Sequence, residues 1–216
     1  MVTDYTNFPP HFCTMETNLK AHWETVFATK QPHEVSWTQE TPETSISYFQ
    51  AANLPKTAKI IDVGGGDSKF VDYLLANDYE DITVLDISKH ALDRAKARLG
   101  EAAQKVTWIE SDINNFQPSK TYDFWHDRAA FHFLTDVNAI QSYAKTVAAH
   151  AKQLVIGTFS VNGPLKCSGL TIQQYDETSM KSLFEGFGFS AIACKFVDHT
   201  TPSGAIQNFI FCSFKR

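Results

Sequence analysis

From Lys59 onward the sequence alternates short apolar runs with amphipathic segments, and that rhythm narrows the fold more than any other feature of the chain. Strands are predicted over 59–63 (KIIDV), 82–86 (ITVLD), 106–109 (VTWI), 121–125 (TYDFW) and 153–158 (QLVIGT). Helices are predicted between most of them, over 68–77, 88–99 and 137–150, with Phe70, Val71, Leu74 and Leu75 forming one apolar side of the first. Short apolar strands separated by amphipathic helices imply a parallel sheet covered on both faces, an α/β, doubly wound Rossmann-like fold. The end of the chain breaks the rhythm. After a helix near 177–186, the β-rich runs FSAIACKFVDH and AIQNFIFCSFK are joined by the turn TTPSG, which predicts an antiparallel C-terminal hairpin.

Residues 1–45 are irregular, punctuated by Pro9, Pro10, Pro32 and Pro42, with one helical candidate, NLKAHWETVFA, in which Leu19, Trp23 and Phe27 recur at helical spacing. A second helix is predicted through ETSISYFQAAN. We therefore expect an N-terminal arm or lid over 1–45 and the main domain over 46–216, a single domain overall. The net charge of −5, with no cluster of basic residues, argues against nucleic acid as a partner. No apolar run approaches the roughly 18 residues of a membrane span, and the opening MVTDYTNFPPHF has no signal or transit character. A cytoplasmic protein is expected. Cys13, Cys167, Cys194 and Cys212 are far apart with no C-x-x-C pair. They are expected as reduced thiols, without a zinc cage or a disulfide framework.

The turn VGGGDSK after the first strand brings backbone close to a ligand and presents the N–H groups of the following helix to it. A dinucleotide site prefers G-x-G-x-x-G, but counting from Gly64 and Gly66 the third position is Lys69. Gly64, Gly65, Gly66 and Ser68 instead suit a nucleoside without a pyrophosphate. Asp86, followed by Ile87, ends the second strand where a carboxylate can accept hydrogen bonds from both ribose hydroxyls. Asp112 ends the third, placed to receive the exocyclic amine of adenine, with Ile113 for apolar contact. Asp62, before the turn, is placed for a methionine amino group, directly or through water, or else is a polar strand-end residue. Acids at three successive strand ends point to S-adenosylmethionine, with S-adenosylhomocysteine as product.

With these motifs the chain resembles a class I S-adenosylmethionine-dependent methyltransferase, from about residue 20 to the C-terminus. IIDVGGGDS is similar to the family's first motif, VLDIS to its ribose-binding acid and ESDI to its adenine-contacting acid. The resemblance implies a seven-stranded, mostly parallel sheet whose last strand inserts antiparallel. HWETVF…VSW and YDFWHDRAAFHFL resemble a methyltransferase-like group that includes protein-lysine methylating members, with an acidic–basic pair after the fourth strand, here Asp127 and Arg128. Ser68 stands where the family usually has a third glycine, and is expected to cap the next helix. The resemblance also implies an arm folded over the cofactor, bringing Trp37 to its methionyl part.

WHDRAAFHF is the candidate catalytic mouth. Trp125 or His126 is expected beside the methionine chain, and His126, Asp127 and His132 are candidate bases, because imidazole titrates near neutral pH and a carboxylate fixes its tautomer. The competing reading is a polar cluster that only orders the loop. Their spacing matches no standard metal site, so no metal is expected. Arg128, Cys167, His199 and Gln207 are candidate acceptor-binding residues, although a lone cysteine is more often an inert small hydrophobe. The expected reaction is in-line methyl transfer to a small-molecule or protein side-chain nucleophile, by a monomer or weak dimer. The alternatives are a noncatalytic cofactor-binding relative and a nicotinamide-dependent oxidoreductase.

Overall fold

The computed structural model describes residues 13–216, with side chains from Leu19 onward. The reading of the first twelve residues as free of a targeting segment, and that of the Cys13 thiol, lie outside the described residues. Helix α1 (Cys13–Thr29) and α2 (Glu43–Ala51) precede the alternating core. That core runs β1 (Lys59–Val63), α3 (Phe70–Ala76), β2 (Asp81–Asp86), α4 (Lys89–Leu99), β3 (Val106–Glu110), β4 (Phe124–Arg128), α5 (Val137–His150) and β5 (Gln153–Phe159). A short hairpin follows, β6 (Lys166–Cys167) and β7 (Leu170–Thr171), then α6 (Glu177–Glu185), β8 (Ser190–Thr200) and β9 (Ile206–Lys215).

The main sheet has seven strands in the order β3-β2-β1-β4-β5-β9-β8. Strands β1 to β5 pair in parallel, and β9 enters antiparallel between β5 and β8. The chain starts in the middle of the sheet and reverses direction beside β1, so β1 and β4 part at a switch point, where open α/β sheets bind ligands. Helices α2, α3 and α4 cover one face through Phe49, Phe70, Leu74 and Leu92; α5 and α6 cover the other through Tyr143, Val147, Met180 and Phe184. Side chains that end helices are well matched to local need. Ser88 caps α4 by accepting from Ala91 N–H, Asp136 caps α5, and Asp176 forms a capping box on α6.

Two expectations are corrected. The fourth strand is Phe124–Arg128, three residues beyond the predicted 121–125. Asp123 stops just short of it, its carboxylate accepting from Lys59 N–H at 2.8 Å and so serving the start of β1. His126 and Asp127 consequently lie inside the strand and not in the loop beyond it. Cys194 and Cys212, expected as reduced thiols, form a disulfide. They are direct cross-strand partners of β8 and β9, so hairpin register brings together two residues 18 apart in sequence. Cys167 is a buried free thiol.

Candidate functional site

A cavity opens at the C-terminal ends of β1, β2 and β4, roofed by residues of α1 and of the segment that joins α1 to α2. Its floor is the glycine turn. Gly64 adopts φ +66°, and a Cβ there would lie 2.6 Å from the Ala130 Cβ, so both conformation and close approach require glycine. A Cβ on Gly65 would meet Asp62 Oδ2 at 2.3 Å, and one on Gly66 would meet Asp86 Oδ2 at 2.7 Å. The glycines therefore leave the two carboxylates room to face the cavity. Ser68 Oγ accepts from Phe70 N–H at 3.1 Å, but the N-cap of α3 is Lys69 and carries no side-chain cap, so Ser68 braces the turn instead of taking the expected N-cap position. Outside the turn, Arg98 binds both Asp67 and Asp72, fixing the turn to α4.

Asp62 and Asp86 sit in the last residues of β1 and β2, whereas Asp112, expected to end the third strand, lies just past β3, which stops at Glu110. Asp62, buried, receives His126 Nδ1–H on Oδ1 at 2.6 Å, while its Oδ2 is buried with no partner among the described residues. A buried acceptor left open in this way costs free energy unless a donor arrives. Asp86 accepts from Gly66 N–H at 3.0 Å and Ser88 N–H at 2.8 Å, one on each oxygen, leaving lone pairs for two more donors. Burial raises its pKa to about 6, against those two bonds and with help from the charges of Asp62 and Glu24. Asp112, half-buried, accepts from Asn114 N–H at 2.8 Å and lines the cavity beside Ser111 and Ile113. The free acceptor of Asp62, the paired acceptors of Asp86 and the glycine cradle fit the ammonium and ribose groups of S-adenosylmethionine.

The roof is aromatic. Trp23 on α1 packs edge-on against Trp37 at 5.7 Å and Phe133 at 5.0 Å, and Phe27 stands 6.0 Å from Trp37. Glu24 latches α1 to the start of α4: its carboxylate accepts from Lys89 N–H at 2.8 Å, His90 N–H at 3.1 Å and the Ser88 hydroxyl at 2.9 Å. Burial opposes ionisation of Glu24, but those bonds and the His90 ring at 2.6 Å hold its pKa down to about 2. Lys20 to Glu110 and Lys69 to Glu40, each 2.5 Å, add links from the arm to β3 and to the glycine turn.

Of the residues singled out from sequence, Trp37, Asp62, Gly64, Gly65, Ser68, Asp86, Ile87, Asp112, Ile113, His126, Arg128 and Cys167 line this one cavity. Gly66 lies just behind it, holding Asp86. Asp127 points to the opposite face of the sheet, because successive side chains of a strand alternate. There it accepts from Tyr143 Oη at 2.8 Å and from the N–H groups of Ala130 and Phe131. For the same reason Asp127 and Arg128 do not form the acidic–basic pair suggested by the resemblance. His132 is buried and its pKa is pushed down to about 3 by burial and by the charge of Arg128, so it stays neutral. His199 donates Nε2–H to the Ser36 carbonyl at 2.6 Å and holds the arm; Gln207 is its cross-strand partner. Neither belongs to the cavity lining. Trp23, Thr38, Gln39, Phe133 and Leu134, none of them a site candidate from the sequence, also line the cavity. The helical spacing of Leu19, Trp23 and Phe27 was the available signal, since all three face the same cavity.

His126 has both ring nitrogens engaged, Nδ1 with Asp62 and Nε2 2.9 Å from the Ser45 hydroxyl. It reads as the group that orients Asp62.

A sequence family described as "Methyltransferase domain" matches residues 60–153. Malonyl-[acyl-carrier protein] O-methyltransferase 1 of Ilyobacter polytropus is 27% identical over 105 residues, 48% of this chain and 39% of that protein. The chain thus matches about two fifths of the length of this curated relative. Among solved structures, 1,6-didemethyltoxoflavin-N1-methyltransferase of Burkholderia thailandensis, with S-adenosylhomocysteine and 1,6-didemethyltoxoflavin bound, aligns over 99% of this chain and 93% of its own with TM-score 0.71 and 14% identity. The N-methyltransferase NodS of Bradyrhizobium japonicum, in complex with S-adenosylhomocysteine, aligns over 92% and 98% with TM-score 0.69 and 13% identity. At these identities the structural matches establish the fold. They favour neither alternative raised from the sequence.

Proposed function

We propose that this chain, whose core is a methyltransferase domain of the class I, S-adenosylmethionine-dependent fold, transfers a methyl group from S-adenosylmethionine to a small-molecule nucleophile. The observation that carries the reading is the convergence of Asp62, Asp86 and Asp112 on one glycine-floored cavity, with Asp62 Oδ2 open to a donor. Asp62 would take the methionyl ammonium, Asp86 the ribose hydroxyls and Asp112 the adenine amine, with Ile87, Ile113 and Leu134 against the base. S-Adenosylmethionine, when bound, supplies a methyl group already activated by its sulfonium.

What remains for the chain is alignment and exclusion of water. Trp23, Trp37, Phe27 and Phe133 enclose the cavity, while the Glu24 latch holds that roof over it. His126 acts by fixing Asp62, and Asp127 by ordering the turn from β4 to the Phe131 segment, so in this reading neither takes a proton from the acceptor. Support for a small acceptor comes from the relatives, one of which was solved with 1,6-didemethyltoxoflavin. A cytoplasmic, monomeric or weakly dimeric enzyme, with the described part of the arm up to residue 45 as its lid, completes the proposal.

Incubation with methyl-labelled S-adenosylmethionine and a cell extract divided into small-molecule and protein fractions tests it. Label is expected in the small-molecule fraction. Label confined to protein would replace the acceptor class, and transfer to neither fraction by a protein that binds the cofactor would overturn catalysis.

A further inference from the structure

Arg128 ends β4 and is half-buried in the cavity wall. Its Nη1 donates to the Trp37 carbonyl at 3.0 Å, and its guanidinium carbon lies 5.4 Å from the Phe209 ring centre. Among the described residues, Nε and Nη2 have no hydrogen-bond partner and no carboxylate stands within 4.0 Å of the guanidinium. Burial lowers its pKa to about 10, so it stays charged at neutral pH. Asp62 is the acid whose field reaches it and favours its charged form, but it makes no ion pair with the guanidinium and is engaged through Oδ1 with His126. Burial pushes the Cys167 thiol up to about 11, leaving it neutral, and lowers the pKa of His199. A half-buried cation without an ion-pair partner is incompletely solvated, and an oxyanion that meets it in such a place makes strong, geometrically selective hydrogen bonds.

Location says which oxyanion. The acids assigned to the cofactor lie at the ends of β1, β2 and just after β3, on one side of β4 in the sheet order. Phe209 of β9, over whose ring the guanidinium lies, is on the other side of β4 in that order, and Cys167 is on the separate β6–β7 hairpin. On the reading of the cavity as a methyltransferase site, we propose that Arg128 is a specificity-determining residue that binds a carboxylate or phosphonate of the methyl acceptor, which is therefore an acidic small molecule. Nε and Nη2 form the free edge of the guanidinium fork, suited to two parallel bonds to such a group.

Calorimetric titration of malonate, phenylacetate and methylphosphonate against malonamide and phenylacetamide, with and without S-adenosylhomocysteine, tests the proposal on wild type, Arg128→Met and Arg128→Lys. Wild type is expected to favour acid over amide by about ten- to hundredfold. Arg128→Met should abolish the preference, and Arg128→Lys should restore part of it. Arg128→Met should keep the wild-type circular dichroism spectrum and a single cooperative unfolding transition, showing an intact fold. Equal binding of acids and amides by wild type would overturn the proposal. So would a tenfold loss of S-adenosylhomocysteine affinity in Arg128→Met with unchanged affinity for its decarboxylated analogue, since the guanidinium would then hold the cofactor's own carboxylate. Failure of wild type to bind S-adenosylhomocysteine, with acids still preferred through Arg128, would sink the cofactor reading and uphold the anion site.

Discussion

Cofactor affinity should rise with pH because Asp86 must be ionised to accept two ribose hydroxyls. Burial places its pKa at about 6, above the ordinary 3.8, with the charges of Asp62 on β1 and Glu24 on α1 adding to the effect and the Ser88 and Gly66 N–H groups opposing it. A folded-state pKa raised above the unfolded value means stability that is full below pH 3.8 and is lost as pH rises through about 6. The loss is about 3 kcal/mol at one pH unit per 1.4 kcal/mol. Ligand donors recover part of it, so affinity changes in the opposite sense. At pH 5 about one Asp86 in ten is ionised, which predicts binding about tenfold weaker than at pH 8. Calorimetry with S-adenosylhomocysteine between those values is the assay, with Asp86→Asn as control. Because Asp127 also titrates near 6, the control matters: Asp86→Asn retains Asp127 and should bind weakly with no slope. A flat wild-type profile, or the same slope in Asp86→Asn, would refute the reasoning.

Tyr143→Phe removes the hydroxyl from buried Asp127 and should cost about 1–3 kcal/mol of stability, read by denaturant unfolding, while cofactor affinity stays unchanged; a loss of affinity at unchanged stability would instead place Asp127 in the site. Glu24→Gln weakens the cap on α4 and the latch of the roof, so the dissociation rate of S-adenosylhomocysteine should rise severalfold in stopped flow, with an affinity loss of about 1 kcal/mol. Gly64→Ala must hold a side chain at φ +66° against Ala130 and should lose about 1–3 kcal/mol, as a lower melting temperature. Reduction of the Cys194–Cys212 bond should cost about 3 kcal/mol, and intact mass under non-reducing conditions should be two hydrogens below the reduced chain.

What was legible in the sequence was local. The strand-to-helix turn at Gly64, the acids that end β1 and β2, and Asp112 just after β3 each announce themselves through a few neighbouring residues, and parallel strands align their ends at one edge. The placement of β4 was harder, because Thr121 and Tyr122 have strand character whereas His126, Asp127 and Arg128 are polar. They occupy a strand only because Asp62, Ser45, Tyr143 and Trp37 accept or supply their hydrogen bonds from distant segments. The same distance hid the roof, since Trp23 meets Phe133 across more than a hundred residues. The disulfide was hidden for another reason: only the register of β8 on β9 makes Cys194 face Cys212, and spacing alone does not set that register.

Titration of S-adenosylhomocysteine into wild type and Asp86→Ala at pH 8, with NADH as the competing ligand, tests the central claim most directly. One-site binding by wild type is expected, at least about tenfold weaker in the variant, with no heat from NADH. Well-folded wild type that fails to bind S-adenosylhomocysteine, or an Asp86→Ala variant that binds it equally well, would contradict it.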